Sequence, residues 1–257
     1  MLASELRANA RKSLAGKWGK AALVVLCYLL LMYVISFVLA LIPLLGPIAS
    51  FVISVPISYG FVVSFIKLKR GEEVKYTGFL SEGFANFGRA WGVCGHTILK
   101  MIVPVVLIIV FAFLLGFSST ALVASGIISG GSGVTAGFSG LSIIAIIGYI
   151  ASVIYATVKG LLYSLSNYIL YDNPNMTNKE IVEESARLMK GNRWKYVWLG
   201  LTFIGWIILS AFTFYIGLLW VVPYIAVTTI CFYESLSGNV SKENIVVEAE
   251  NNNPISE

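Results

Sequence analysis

Side chains able to do acid–base or nucleophilic chemistry are few in this chain and poorly placed for it. There is one histidine, His96, and it stands between Gly95 and Thr97 beside an apolar run. Cys27 and Cys231 lie inside apolar runs and Cys94 in a basic, Gly-rich stretch, with neither a CxxC pair nor a zinc-type Cys/His spacing. No HExxH, GxSxG, P-loop or GxGxxG pattern occurs. Acidic residues keep to the polar segments or their edges, with Asp172 and Glu234 at the ends of apolar runs, where a boundary role is expected. General acid–base or nucleophilic catalysis needs more than this. The expectation is a protein that is not an enzyme, with no cofactor and no metal.

Two other groups carry chemical potential. The first is Lys159, inside the apolar run 141–170 and thirteen residues before Asp172. In one helix it lies about 20 Å from that end, where a lysine in lipid costs on the order of 3 kcal/mol. A candidate intramembrane site then groups Lys159 with Pro56 and Pro223, whose rings free backbone carbonyls in other apolar runs. The alternative is that 141–158 crosses alone and Lys159 snorkels to the surface. The second group is the stretch KGNRWKYVWLGL, where Lys190, Arg193 and Lys195 are interleaved with Trp194, Tyr196 and Trp198. Basic and indole side chains in that pattern suit an anionic headgroup layer, so these five residues (Lys190, Arg193, Trp194, Lys195, Trp198) form a candidate lipid-headgroup corner. Plain anchoring is the simpler use of the same residues.

The elements that must position these groups follow from composition. Of 257 residues, 58% are hydrophobic and 12% charged, and the mean hydropathy is +0.84. That charge content is about half the soluble norm, so lipid is the expected solvent. A bilayer core of about 30 Å takes roughly 20 apolar residues as a helix. Six runs qualify: 21–42, 48–66, 101–123, 141–170, 198–216 and 218–236. Helix is required, because an open strand cannot satisfy its backbone groups in lipid. The first run is too long for a signal-peptide core and reads as a retained span.

Charge then sets direction. The segments 1–20, 67–100 and 171–197 carry the basic residues, and the connections near 43–47, 124–140 and 217 carry none. The positive-inside rule places the three basic segments and both termini in the cytoplasm. The net charge of +5 is dispersed at span edges and is no nucleic-acid signal. The 124–140 stretch, ASGIISGGSGVTAGFSG, reads as a flexible external linker. The last residues, 239–257, read as a disordered acidic cytoplasmic tail after a membrane domain of 1–238.

Each basic segment also holds an amphipathic pattern. Ile181, Val182, Ser185, Leu188 and Met189 share one helical face in 177–191, with a Thr177/Glu180 capping box, a Glu183–Arg187 pair and Gly191 as the stop. Leu80, Phe84, Phe87 and Trp91 do the same in 77–91, and Ala3, Leu6, Ala10 and Leu14 in 3–14. Laying Pro56 on Pro223 brings Gly71 onto Gly238, and the middle stretch 158–174 aligns faintly with both. The fold class expected is all-α: a polytopic membrane protein with six transmembrane helices, as three hairpins with cytoplasmic amphipathic helices.

SARLMKGNRWKYVWLGLTFIGWIIL, GLLWVVPYIAVTTICFYESL and the opening ELRANARKSLAGKWGKAALV resemble a family of bacterial, mostly Firmicute, integral membrane proteins known as domain of unknown function nine-seven-five. The resemblance covers most of 1–238, and the family is distantly similar to the membrane domain of glycerophosphodiester phosphodiesterases. It implies a bacterial cell membrane and a lipid-related setting, and assigns no catalytic residue. Two functions are expected to compete. One is transport or export of an amphiphilic or anionic solute. The other is a non-transporting, lipid-sensing role in envelope homeostasis, protective against membrane-active peptides. The partners expected are anionic membrane lipids, with no nucleic acid.

Overall fold

The computed structural model describes residues 2–42, 45–129 and 132–238, with side chains described outside 119 and 121–139. Their regular structure is α-helical, in the order α1 (Ala3–Leu14), α2 (Trp18–Ala40), α3 (Leu45–Lys69), α4 (Gly78–Ala85), α5 (Phe87–Ser129), α6 (Ser132–Leu162), α7 (Ser166–Asp172), α8 (Asn178–Met189), α9 (Arg193–Leu201), α10 (Ile204–Phe212) and α11 (Leu218–Ser237). Six helical stretches are long and apolar enough to cross a membrane: 18–40, 45–69, 87–118, 140–172, 193–212 and 218–237. They match the six apolar runs. The acidic tail expected over 239–257 lies outside the described residues.

The chain divides into two compact units, Met1–Cys94 with Leu165–Glu257, and Gly95–Ser164. In the first, one packing step occurs three times. The short helix α4 lies on α3, α8 on α7, and α1 on α11. The α3–α4 contact is close enough to require glycine on both sides: a Cβ on Gly60 would strike the Phe79 carbonyl, and one on Gly83 the Pro56 carbonyl. In α8, Ile181, Val182, Ser185, Leu188 and Met189 are the buried residues, and the Ser185 hydroxyl accepts from the Leu165 N–H at 3.2 Å. In α1 they are Leu6, Ala10 and Leu14. The Thr177–Glu180 box closes as its sequence requires, with Thr177 N–H on Glu180 Oε2 at 2.8 Å and Glu180 N–H on Thr177 Oγ1 at 3.3 Å. Arg187 makes a two-pronged pair with Glu184, at 2.7 and 2.6 Å. Gly71 and Gly238, aligned in sequence, both follow long helices in the left-handed region, at φ 82° and 75°.

Two expectations are corrected here. The stretch 77–91 is not one helix: α4 stops at Ala85 and α5 starts at Phe87. Its protein-facing residues are Phe79 and Gly83, while Phe84 and Phe87 are exposed and stack with ring centroids 6.3 Å apart. The apolar face read from sequence therefore turns away from the protein, as it can when the surrounding solvent is lipid.

The second correction lies in the other unit. There α5 runs to Ser129 and α6 starts at Ser132, so most of the 124–140 linker is helical backbone. The segment has no charge and no proline, and glycine costs a helix only about 1 kcal/mol each. In apolar surroundings the helix satisfies backbone groups that water would otherwise take. Within this unit α5 and α6 lie side by side. Gly148 faces the Phe111 ring, where a Cβ would clash, and the Ser142 hydroxyl meets that of Ser118 at 3.0 Å.

Candidate functional site

The ends of α3, α7 and α11 meet in a buried ionic cluster. Lys69 Nζ lies 2.6 Å from Glu234 Oε2, with the two side chains 8% and 6% exposed. Arg70 grips Asp172 with both prongs, Nη1 to Oδ1 at 2.8 Å and Nη2 to Oδ2 at 3.0 Å. It also stands 3.9 Å from Glu234 and over the Tyr171 ring at 5.6 Å. Tyr233 is a hydrogen-bonding neighbour of Asp172, and Lys67 pairs with Glu82 at 2.6 Å on the α4 side. Lys69, Arg70, Asp172 and Glu234 sum to zero charge. Such a cluster holds three helix ends in register, because removing any one member strands a buried opposite charge. Sequence reading placed Asp172 and Glu234 at boundaries without their partners. The same hairpin alignment that joined Gly71 to Gly238 also lays Lys69 on Asp172, and that was the available signal.

A basic residue in the first turn of each leading span has a defined task in two cases of three. Lys17 donates to the Leu68 carbonyl at 3.1 Å. Arg89 reaches the carbonyls of Pro174 and Met176, the latter at 2.7 Å. Both tie down the chain as it leaves a second span. Arg193, the third, makes no hydrogen bond or ion pair with the described residues, and its Nε is shut off from solvent without an acceptor. Arg7 on α1 has its Nε in the same condition. A buried donor left unpaired costs about 1–3 kcal/mol.

The candidate corner surrounds Arg193. Trp194 and Trp198, four apart on one face of α9, are 83% and 65% exposed. Lys190 and Lys195 are exposed beside them, and Lys195 touches only the Asn192 amide oxygen, at 3.1 Å. Tyr196 instead faces inward and packs on Phe232 at 5.3 Å. α1 is fastened near this corner: Arg11 donates to the Tyr224 hydroxyl at 2.9 Å, and Phe203 meets the Tyr224 ring edge-on at 5.0 Å.

The intramembrane group is distributed over both units. Pro56 and Pro223 are buried in the first, in α3 and α11. Lys159 belongs to the second, in the last turn of α6 and half-buried, with its ammonium 5.4 Å from the Tyr155 ring centroid. The helix stops at Leu162, and a turn over 163–165 precedes α7. The single helix assumed in measuring Lys159 from Asp172 is thus corrected to two, because the chain bends where Leu165 N–H turns to Ser185.

Cys27, Cys94 and Cys231 are free thiols. No set of three or more His, Cys, Asp or Glu residues is placed to hold a metal among the described residues. Six apolar spanning helices, with charge gathered at one end of the first unit, define a multi-pass helical membrane protein. The chain belongs to the family described as protein of unknown function, DUF975, whose match runs over residues 1–240. No curated protein and no solved structure matches it.

Proposed function

We propose that this is a non-transporting, non-enzymatic protein of the bacterial cell membrane, with both termini cytoplasmic, that binds anionic lipid at its basic corners and so senses or organises the membrane. The carrying observation is the α9 corner. Two indoles point away from the protein, exposed lysines flank them, and a guanidinium between them has no protein acceptor. Indole rings settle at headgroup depth, and a planar guanidinium fork matches phosphate oxygens. The orientation rests on the basic residues at one end of the spans. Transport would call for Lys159 deep in a polar interior. Its place in the last turn of α6, with its ammonium on Tyr155, suits snorkelling instead.

The test replaces Lys190, Arg193 and Lys195 together by Gln and measures the anionic lipid that copurifies with the protein. The variant is expected to keep its fold and lose most of that lipid. Equal retention by both proteins would reduce the corner to an anchor.

A further inference from the structure

The three junctions share a plan, and only two of them are satisfied from within the protein. Lys17 holds the segment that leads from α3 toward α4, and Arg89 the segment that leads from α7 into α8. In each case the short helix being led to packs on the long helix just left. The third such pair is α11 and α1. Here α1 precedes α11 by the whole membrane domain, so no peptide runs from one to the other. Arg193 occupies the place of Lys17 and Arg89, and the connector it would hold does not exist. Across the gap, α1 touches α9 and brings Arg7, whose Nε–H also lacks an acceptor.

From this we infer that the gap between α1 and the start of α9 is a discrete binding site for the phosphate diester of an anionic membrane lipid, held by Arg7 and Arg193. A phosphate diester supplies acceptor oxygens in place of the missing carbonyls, and two guanidinium groups recognise it with directed hydrogen bonds. A lipid source is favoured over free phosphate by what lies next to the charge. α9 leads straight into an outward apolar face (Leu201, Ile204, Ile207) along which acyl chains can lie, and Trp194 marks the headgroup level. This inference rests on the lipid-binding reading above and narrows it to one stoichiometric site, with Arg7 as a ligand that sequence reading did not select.

The experiment titrates the purified full chain in neutral detergent with phosphatidylglycerol, following tryptophan fluorescence, and repeats it with phosphatidylcholine and with inorganic phosphate. The wild type should bind phosphatidylglycerol saturably at one equivalent. Arg7→Gln and Arg193→Gln should each weaken it roughly tenfold, the double variant little more, because both act on one ligand. Arg7→Lys, which keeps the charge and loses the fork, should fall between and serves if Arg7→Gln does not fold. Normal binding by Arg7→Gln, with loss in the Lys190/Arg193/Lys195→Gln variant, would overturn this site and leave the broader reading standing. Loss in neither would overturn both. Competition by millimolar inorganic phosphate would reassign the site to a free anion. A gain in lipid affinity on truncation after Gly238, absent in Arg7→Gln, would reassign it to the chain's own acidic end.

Discussion

α11 and α5 are both apolar enough to span a bilayer, yet the protein treats them in opposite ways. In α11, 61% of the most apolar window is buried inside the protein; in α5 the figure is 6%. α11 packs against α1, α2, α3 and α10, and along its inner half residues 227–234 are buried on every side. α5 presents Ile102, Val103, Ile109, Phe113 and Phe117 outward. Lipid is as apolar as leucine, so hydrophobicity cannot choose between these fates. Close approach and polar pairing choose instead. α11 carries Thr228, Thr229, Cys231 and Glu234 among its buried residues, and its neighbour α3 carries Gly60 and Ser64. The outward face of α5 carries none of these.

The sharpest way to break this contrast is at the ionic cluster. Lys69→Met should cost about 3–5 kcal/mol, since it leaves Glu234 buried without its counter-charge. Thermal unfolding in detergent should show a large drop. The double change Lys69→Met with Glu234→Leu should recover much of it, because an apolar pair of similar volume is often no worse than the ion pair. A double variant as unstable as the single one would mean that the cluster does more than balance charge.

Close approach is next. Gly60→Ala should destabilise the first unit by about 1–3 kcal/mol by driving α4 off α3, since the new methyl group would land on the Phe79 carbonyl. Gly95→Ala, whose methyl group would enter open space, should be neutral or slightly stabilising in the same assay.

Lys159 tests the other side of the comparison. In the second unit its ammonium lies against the ring of Tyr155, on its own helix, an interaction worth about 0.5–1 kcal/mol at exposed sites. Lys159→Met should change unfolding by no more than that and leave lipid retention intact. Loss of lipid in that variant would move the binding site into α6.

The smallest effect is a pH dependence in α8. The Thr177 backbone and side chain hold the Glu180 carboxyl below its ordinary 4.5, and Arg187 does the same for Glu184. Carboxyls with lowered folded values stabilise α8 above pH 4.5, and that contribution fades as pH falls through the folded values. Amide exchange at Ile181 and Val182 should accelerate below pH 4.5 in the wild type, and Thr177→Ala should show the faster exchange already at neutral pH.

The six spanning helices were legible because length, apolarity and charge spacing all act locally. So was α8, whose cap, stop and buried face are written within fifteen consecutive residues. The α4 face was misread because an amphipathic pattern gives the direction of apolar solvent as well as of protein, and here Phe84 and Phe87 face away from the fold. The helical 124–129 and 132–140 segments were hidden by glycine and serine, which signal a linker in water and lose that meaning in lipid. The ionic cluster pairs residues 102 and 165 positions apart, Arg70 with Asp172 and Lys69 with Glu234, and only the faint repeat hinted at it. Arg7 was invisible as a ligand, because its significance depends on α1 closing onto α9 and α11.

The central claim is that the third junction, left open by the chain, is closed by lipid. The most direct measurement is an experimental density map of the full chain in a phosphatidylglycerol bilayer. The account predicts a phosphate within hydrogen-bond distance of Arg193 and Arg7, beneath Trp194, with acyl density along α9 and none at the equivalent positions of Lys17 and Arg89. A folded protein whose Arg193 is satisfied by its own backbone, with lipid spread evenly over the three junctions, would contradict it.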